Sequence, residues 1–211
     1  MPAPSAGIFV TLEGGEGAGK SVQLEALAAR LRGCGRNVVA TREPGGTALG
    51  ERLRELLLDL TSGDLDPLTE AFLFVAARAQ LVAEVIAPAL DRGDVVLCDR
   101  FGDSTAAYQG FGRGVDLDAI RRMNEAATRG LVPDLTVLLD LPPEQGLHRE
   151  RGDADRFGRE AIAFHERVRE GYRTLAAQER ERWLVVDAAQ PPEAVTDEIW
   201  QRLQPLLARA S

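Results

Sequence analysis

Gly14-Gly15-Glu16-Gly17-Ala18-Gly19-Lys20-Ser21 follows the pattern Gly-x4-Gly-Lys-Ser/Thr. The apolar run Ile8–Glu13 before it reads as a strand, and an amphipathic run opens at residue 20. A strand, this loop and a helix in succession form a cradle for phosphates. Its glycines let successive backbone N–H groups turn toward one anion. The helix N-terminus adds partial positive charge. Lys20 is expected to reach the β- and γ-phosphates of a nucleoside triphosphate, and the Ser21 hydroxyl to ligate Mg2+. A dinucleotide fingerprint, Gly-x-Gly-x-x-Gly, fails on spacing: from Gly15 it needs glycine at Lys20, and from Gly14 at Glu16.

Outward from the loop, short apolar runs alternate with long amphipathic ones. Strands are expected at Ile8–Glu13, Asn37–Thr41, Val95–Asp99, Leu135–Leu141 and Trp183–Asp187. Most are continuously apolar, as in parallel strands buried on both faces. Helices are expected near 20–32, 48–60, 67–91, 103–128, 143–151, 155–181 and 191–209. The alternation predicts an α/β fold, a doubly wound parallel sheet flanked by helices, over residues 1–211 as one domain. The stretch 67–91 is apolar almost all round, so it is expected to bury more than one face, one of them against a second subunit. Residues 148–159 are dense in charge and carry Gly152 and Gly158, which reads as a short mobile lid.

The 211 residues include 25 Lys+Arg and 33 Asp+Glu, a net charge of −8, yet Lys20 is the only lysine. An acidic chain does not suit broad binding to a nucleic-acid backbone. A GTPase Asn-Lys-x-Asp motif and a protein kinase's strand lysine are both absent. The start, Met1–Gly7, lacks a basic region, and Ile8–Leu12 is too short for a signal core. No window is expected to reach the 18 or so apolar residues of a membrane span. Two scattered cysteines, Cys34 and Cys98, fit a reducing, cytoplasmic setting.

A second group of residues completes the site. Asp99 ends the third expected strand and is placed to hold Mg2+, and Arg100 follows it at the edge where ligands bind in such sheets. A planar guanidinium there suits a phosphoryl group passing between donor and acceptor. Glu16 is a carboxylate beside phosphates, so it is expected to point away from them and accept from a hydroxyl. Pro44, Gly45 and Gly46 form a turn that presents Arg42 and Glu43. Phe74 and Arg78 share a helix face, as do Thr105 and Gln109, with Tyr108 alongside.

These segments together resemble the bacterial thymidylate kinases: Glu13–Ser21, Thr41-Arg-Glu-Pro-Gly-Gly-Thr47, Phe72-Leu-Phe-Val-Ala-Ala-Arg78, Asp99-Arg100, Tyr108-Gln-Gly110 and Pro133-Asp-Leu-Thr136. The resemblance implies a P-loop fold with five parallel strands in the order 2-3-1-4-5. It implies a homodimer that moves the γ-phosphoryl of ATP onto dTMP with Mg2+. The ATP loop would be Gly14, Gly15, Glu16, Gly17, Ala18, Gly19, Lys20 and Ser21. Phe74 would stack on thymine, Arg78 donate to its O4, and Thr105 and Gln109 line its edge. Tyr108 would crowd the 2′ position, Glu16 contact the 3′-hydroxyl, and Arg42, Arg54 and Arg100 surround the acceptor phosphate beside Glu43. Relatives without an arginine in the loop supply a catalytic one from the lid, and Arg149, Arg151 and Arg156 are the candidates. Other readings are a different nucleoside monophosphate or nucleoside kinase, or a nucleotide-binding module without transfer chemistry.

Overall fold

The central strand β1, Ile8–Glu13, is buried along its whole length and alternates between two faces of a sheet. Ile8, Val10 and Leu12 join a core with Leu27, Ala28 and Leu31 of α1 (Lys20–Gly33) and with Ile199, Trp200 and Leu203 of α9 (Pro192–Arg209). Phe9 faces the other layer, against Leu81, Val82 and Ile86. By the same alternation Glu13 points into that second layer. A computed structural model of the chain describes residues 7–59, 65–149 and 155–209.

β1 pairs in parallel with β3 (Val95–Asp99) and β4 (Leu135–Asp140). β2 (Val38–Arg42) lies outside β3, and β5 (Trp183–Asp187) outside β4, giving the order β2-β3-β1-β4-β5. This is the expected fold, with strand ends shifted by at most one residue. The remaining helices are α2 (Ala48–Leu58), α3 (Pro67–Leu81), α4 (Ala87–Asp91), α5 (Gly102–Thr105), α6 (Leu117–Thr128), α7 (Pro143–Arg149) and α8 (Ile162–Gln178). Side chains fix several starts: Thr47 accepts from Gly50 N, Asp66 from Leu68 N and Thr69 N, and Asp116 from Ala119 N.

Three expectations need correction. The helix expected over 103–128 is two: α5 runs into a π-helical stretch, Ala106–Gly112, and α6 restarts after Asp116. Gly110, Gly112 and Gly114 weaken the intervening turn, and Asp116 offers a fresh cap. The helix expected from 155 begins only at Ile162, because the Asp155 side chain accepts from Phe157 N and Gly158 N and holds a turn there. Pro67–Asp91 is long and apolar enough to cross a membrane by length and composition, contrary to the expectation that no window qualifies. Its contacts are those of a core helix. Ala71, Ala77, Leu81, Val82, Ile86 and Ala89 are buried, and so are Glu70 and Arg78, with polar partners.

Candidate active site

The carboxyl ends of β1, β2 and β3 converge on one cleft. Gly14, Gly17 and Gly19 take positive φ, and Gly19 leads directly into α1. A Cβ on Gly17 would lie 2.0 Å from the Gly146 carbonyl oxygen, and one on Gly146 would lie 2.2 Å from the Glu16 carbonyl oxygen. The loop and α7 therefore touch backbone to backbone. Lys20 is 8% exposed and its Nζ donates to the carbonyls of Gly14 (3.1 Å) and Gly15 (2.8 Å). Burial, then the charge of Arg100, lowers its pKa. Ser21 Oγ donates to Asp99 Oδ2 at 3.1 Å.

A cavity of about 700 Å³ lies over this loop, lined by Glu16 to Gln23 with Arg42, Glu43, Arg54, Asp99, Arg100 and Arg149, and on its far side by Ala188, Gln190, Pro192 and Val195. A second cavity, about 100 Å³, is walled by Leu58, Phe74, Ser104, Thr105, Tyr108, Gln109 and Phe157. Glu16, Glu43, Arg54, Arg100 and Asp155 belong to both. Two anions meeting across that junction would find Arg54 and Arg100 between them.

Arg100 sits in the left-handed region at φ 69°, its N–H donating to the Leu12 carbonyl. Its guanidinium donates to the Gly14 carbonyl (3.0 Å), the Tyr172 hydroxyl (3.3 Å) and Glu16 (2.8 Å), and lies 4.9 Å from the Tyr108 ring centre. Glu16 also accepts from the Tyr108 hydroxyl at 2.7 Å. Burial alone would raise the Glu16 carboxyl, but the charges of Arg100 and Lys20 override it and hold it at about 2. Thus the Glu16 carboxylate is held by a cation and a hydroxyl at the border of both cavities.

Behind Arg100 lies Glu13, which sequence reasoning missed as a site residue. Its oxygens accept from Phe101 N (2.8 Å), Ser104 Oγ (2.5 Å) and Tyr172 OH (3.0 Å). Burial and then the Asp103 charge push its carboxyl up to about 7, against those bonds.

Arg78 is 1% exposed. It donates from Nε and Nη2 to Glu43, from Nη2 to the Phe101 carbonyl and Thr105, and from Nη1 to Asn124. It therefore stands behind Glu43 and Thr105, which line the smaller cavity, rather than on the wall itself. Glu43 Oε1 is buried without a partner, and burial raises its carboxyl while Arg78 opposes. The ring centres of Phe74 and Phe157 lie 5.9 Å apart, the rings tilted by 57°. Arg42 is half exposed and paired with Glu51, and Arg54 donates to the Pro44 carbonyl.

The three lid candidates separate. Arg149 lines the larger cavity and donates to the Ala188 carbonyl at 3.0 Å. Arg156 turns the other way, donating to the Leu57 carbonyl and to Glu70, so the structure does not bring it to the phosphate loop. Arg151 lies outside the described residues, as do 150 and 152–154 of the expected lid. His165 is 4% exposed beside the Phe164 ring.

The family model for thymidylate kinase matches residues 12–199. The chain belongs to the thymidylate kinase family. The thymidylate kinase of Desulfovibrio desulfuricans is 54% identical over 211 residues, covering 96% of this chain and 97% of that protein. That of Deinococcus radiodurans is 53% identical over 198 residues, covering 93% and 96%. The crystal structure of thymidylate kinase from Ehrlichia chaffeensis superposes with a TM-score of 0.78 at 34% identity, covering 94% of this chain and 99% of that one.

In this family member the buried Glu13 gives a signed expectation. Its carboxyl titrates near 7 when folded and at the ordinary 4.5 when unfolded. Between those values the native state holds the extra proton, so this group's contribution to stability falls as pH rises through that window. Glu13→Gln should gain stability relative to the parent between about pH 5 and about pH 8 in urea unfolding. Parallel profiles for the two proteins would remove Glu13 as the titrating group.

Proposed function

We propose that the chain's reaction, transfer of the γ-phosphoryl of ATP to dTMP giving ADP and dTDP, takes place across the junction between the two cavities. The observation that carries this reading is the sharing of Arg54 and Arg100 by a cavity over a phosphate loop and a cavity closed by an aromatic plate. ATP phosphates occupy Gly14–Ser21. The dTMP base stacks on Phe74, with Thr105 and Gln109 at its edge and Arg78 behind that edge, bonded to Thr105. Tyr108, fixed by its bond to Glu16, crowds the 2′ position, and Glu16 keeps an oxygen for the 3′-hydroxyl. Arg42, Arg54 and Arg100 hold the acceptor phosphate.

A phosphate oxygen of dTMP attacks the γ-phosphorus in line, and the bond to the β,γ-bridging oxygen breaks as ADP leaves. The attacking oxygen is already anionic, so no general base is required. Lys20, Arg100 and Arg149 offset charge on the transferring group. Among the described residues no three His, Cys, Asp or Glu side chains gather into a metal cage. The Ser21 hydroxyl and Asp99 carboxylate offer the hard oxygen donors that suit a nucleotide-bound Mg2+. They would hold the ion, which supplies charge neutralisation at the phosphates when bound. The segment around 148–159 serves as a lid that excludes water.

A neutral nucleoside as acceptor is less well matched, because Arg42, Arg54 and Arg100 would face no charge. Cytoplasmic residence fits the nucleotide substrates and the free thiols of Cys34 and Cys98. Dimerisation is supported by the apolar side chains left exposed on α2 and α3, Leu49, Leu56, Leu68 and Phe72, the last at 53%.

With ATP and each of dTMP, dUMP, dCMP, UMP and thymidine, turnover should be best on dTMP; a better acceptor overturns the assignment. Arg149→Ala should slow transfer by about 10³ or more, and Arg156→Ala by less than about tenfold, in steady-state assays at saturating ATP. Reversed effects would move the catalytic arginine to Arg156. Light scattering at micromolar concentration should give twice the 22.8 kDa chain mass; a monomer mass excludes the α2–α3 dimer.

A further inference from the structure

Glu70, which no step of the transfer uses, lies in the first turn of α3 and is 1% exposed. It collects donors from two segments, 109–113 and the turn at 156. Oε1 accepts from Gln109 Nε2 at 2.7 Å and from Arg113 Nε at 3.4 Å, and Oε2 accepts from Arg156 Nη2. Arg113 is held in turn by Glu160 at 2.6 Å. With guanidinium donors on both oxygens, Glu70 serves only as an acceptor toward Gln109. The Gln109 carboxamide then has one orientation, NH2 toward Glu70. Its oxygen takes no hydrogen bond among the described residues, and the side chain borders the smaller cavity beside Thr105 and Phe74.

We propose that Glu70 is a positioning residue for base selection, holding Gln109 so that its carboxamide presents an acceptor oxygen, not a donor, to the bound base. The inference rests on reading that cavity as the dTMP site. A carboxamide is nearly symmetric in shape, so without Glu70 it presents either end. An acceptor oxygen takes the ring N–H of a thymine-type base. It meets the ring-nitrogen lone pair of a cytosine-type base with repulsion and leaves both atoms unpaired. Arg156, expected from its position to act on phosphates, instead ties its own turn, residues 155–158, to the residue that orients the base pocket.

The test compares the full-length parent, Glu70→Gln and the swap Glu70→Gln/Gln109→Glu, with ATP and dTMP, dUMP or dCMP. In Glu70→Gln the amide at 70 both donates and accepts, and Gln109 is released. The dTMP-to-dCMP ratio of kcat/KM should fall by about tenfold or more. The loss of dTMP efficiency should appear in KM, with kcat little changed. The dTMP-to-dUMP ratio should hold, because both bases carry the ring N–H; a merely loosened fold would not separate these ratios. The swap keeps one donor–acceptor bond between 70 and 109 and returns a carboxylate oxygen to the cavity, so its dTMP-to-dCMP ratio should lie within about threefold of the parent. A folded Glu70→Gln protein with the parent's dTMP-to-dCMP ratio overturns the proposal. If that variant does not fold, the swap decides: a retained preference supports the proposal and a lost one overturns it. A parent that does not prefer dTMP overturns the functional reading itself, independently of Glu70.

Discussion

One guanidinium governs the carboxyl edge of the sheet. Arg100 follows the last residue of β3 in a left-handed conformation, which costs a non-glycine residue on the order of 1 kcal/mol. That turn carries its side chain back over β1, where it bonds the first carbonyl of the phosphate loop and the Glu16 carboxylate together. The surroundings keep it there. Tyr172 of α8 accepts from it and donates to Glu13, while the Tyr108 ring and hydroxyl close the other side. The glycine-rich loop, the smaller cavity and the second layer of helices thus share one cation. Burial pushes the Glu13 carboxyl behind it up to about 7, while the charges of Arg100 and Lys20 hold Glu16 down at about 2.

The sequence made the sheet legible because a parallel sheet buried on both faces leaves short apolar runs with polar punctuation, and each strand was found within a residue. The loop was legible because phosphate binding demands glycines at fixed spacing. What escaped were residues whose meaning depends on partners far along the chain. Glu13 reads as the polar end of a strand, yet its partners are 88 to 159 residues away. Arg156 reads as one of several lid arginines, and its partners Leu57 and Glu70, 99 and 86 residues earlier, show where it points. His165 reads as a surface residue of a charged segment but is covered by aromatic packing. The break at 113–116 did leave a signal, three glycines at alternate positions followed by an aspartate.

The composition takes on a structural meaning as well. The only lysine donates its compact ammonium to two backbone carbonyls of the loop, those of Gly14 and Gly15. The arginines serve where a flat, many-donor cation is wanted. Arg78 alone serves Glu43, Asn124, Thr105 and a carbonyl from a position almost wholly out of solvent. Removing one partner from such a pair would strand a buried charge, so these contacts define the shape of the site more than they add to stability.

The facing glycines at 17 and 146 set a limit on how this chain can diverge. With carbonyl oxygens standing 2.0 Å and 2.2 Å from where a first side-chain carbon would go, neither position admits a single replacement while the two backbones stay in contact. They form a unit of inheritance: a lineage that loses one must first pull α7 off the loop. Since Arg149 is the last residue of α7, three residues beyond that contact, the seam also serves as the ruler from which the arginine's reach into the cavity over the loop is measured. Changes in chain length beyond residue 149 leave that ruler's zero where it is.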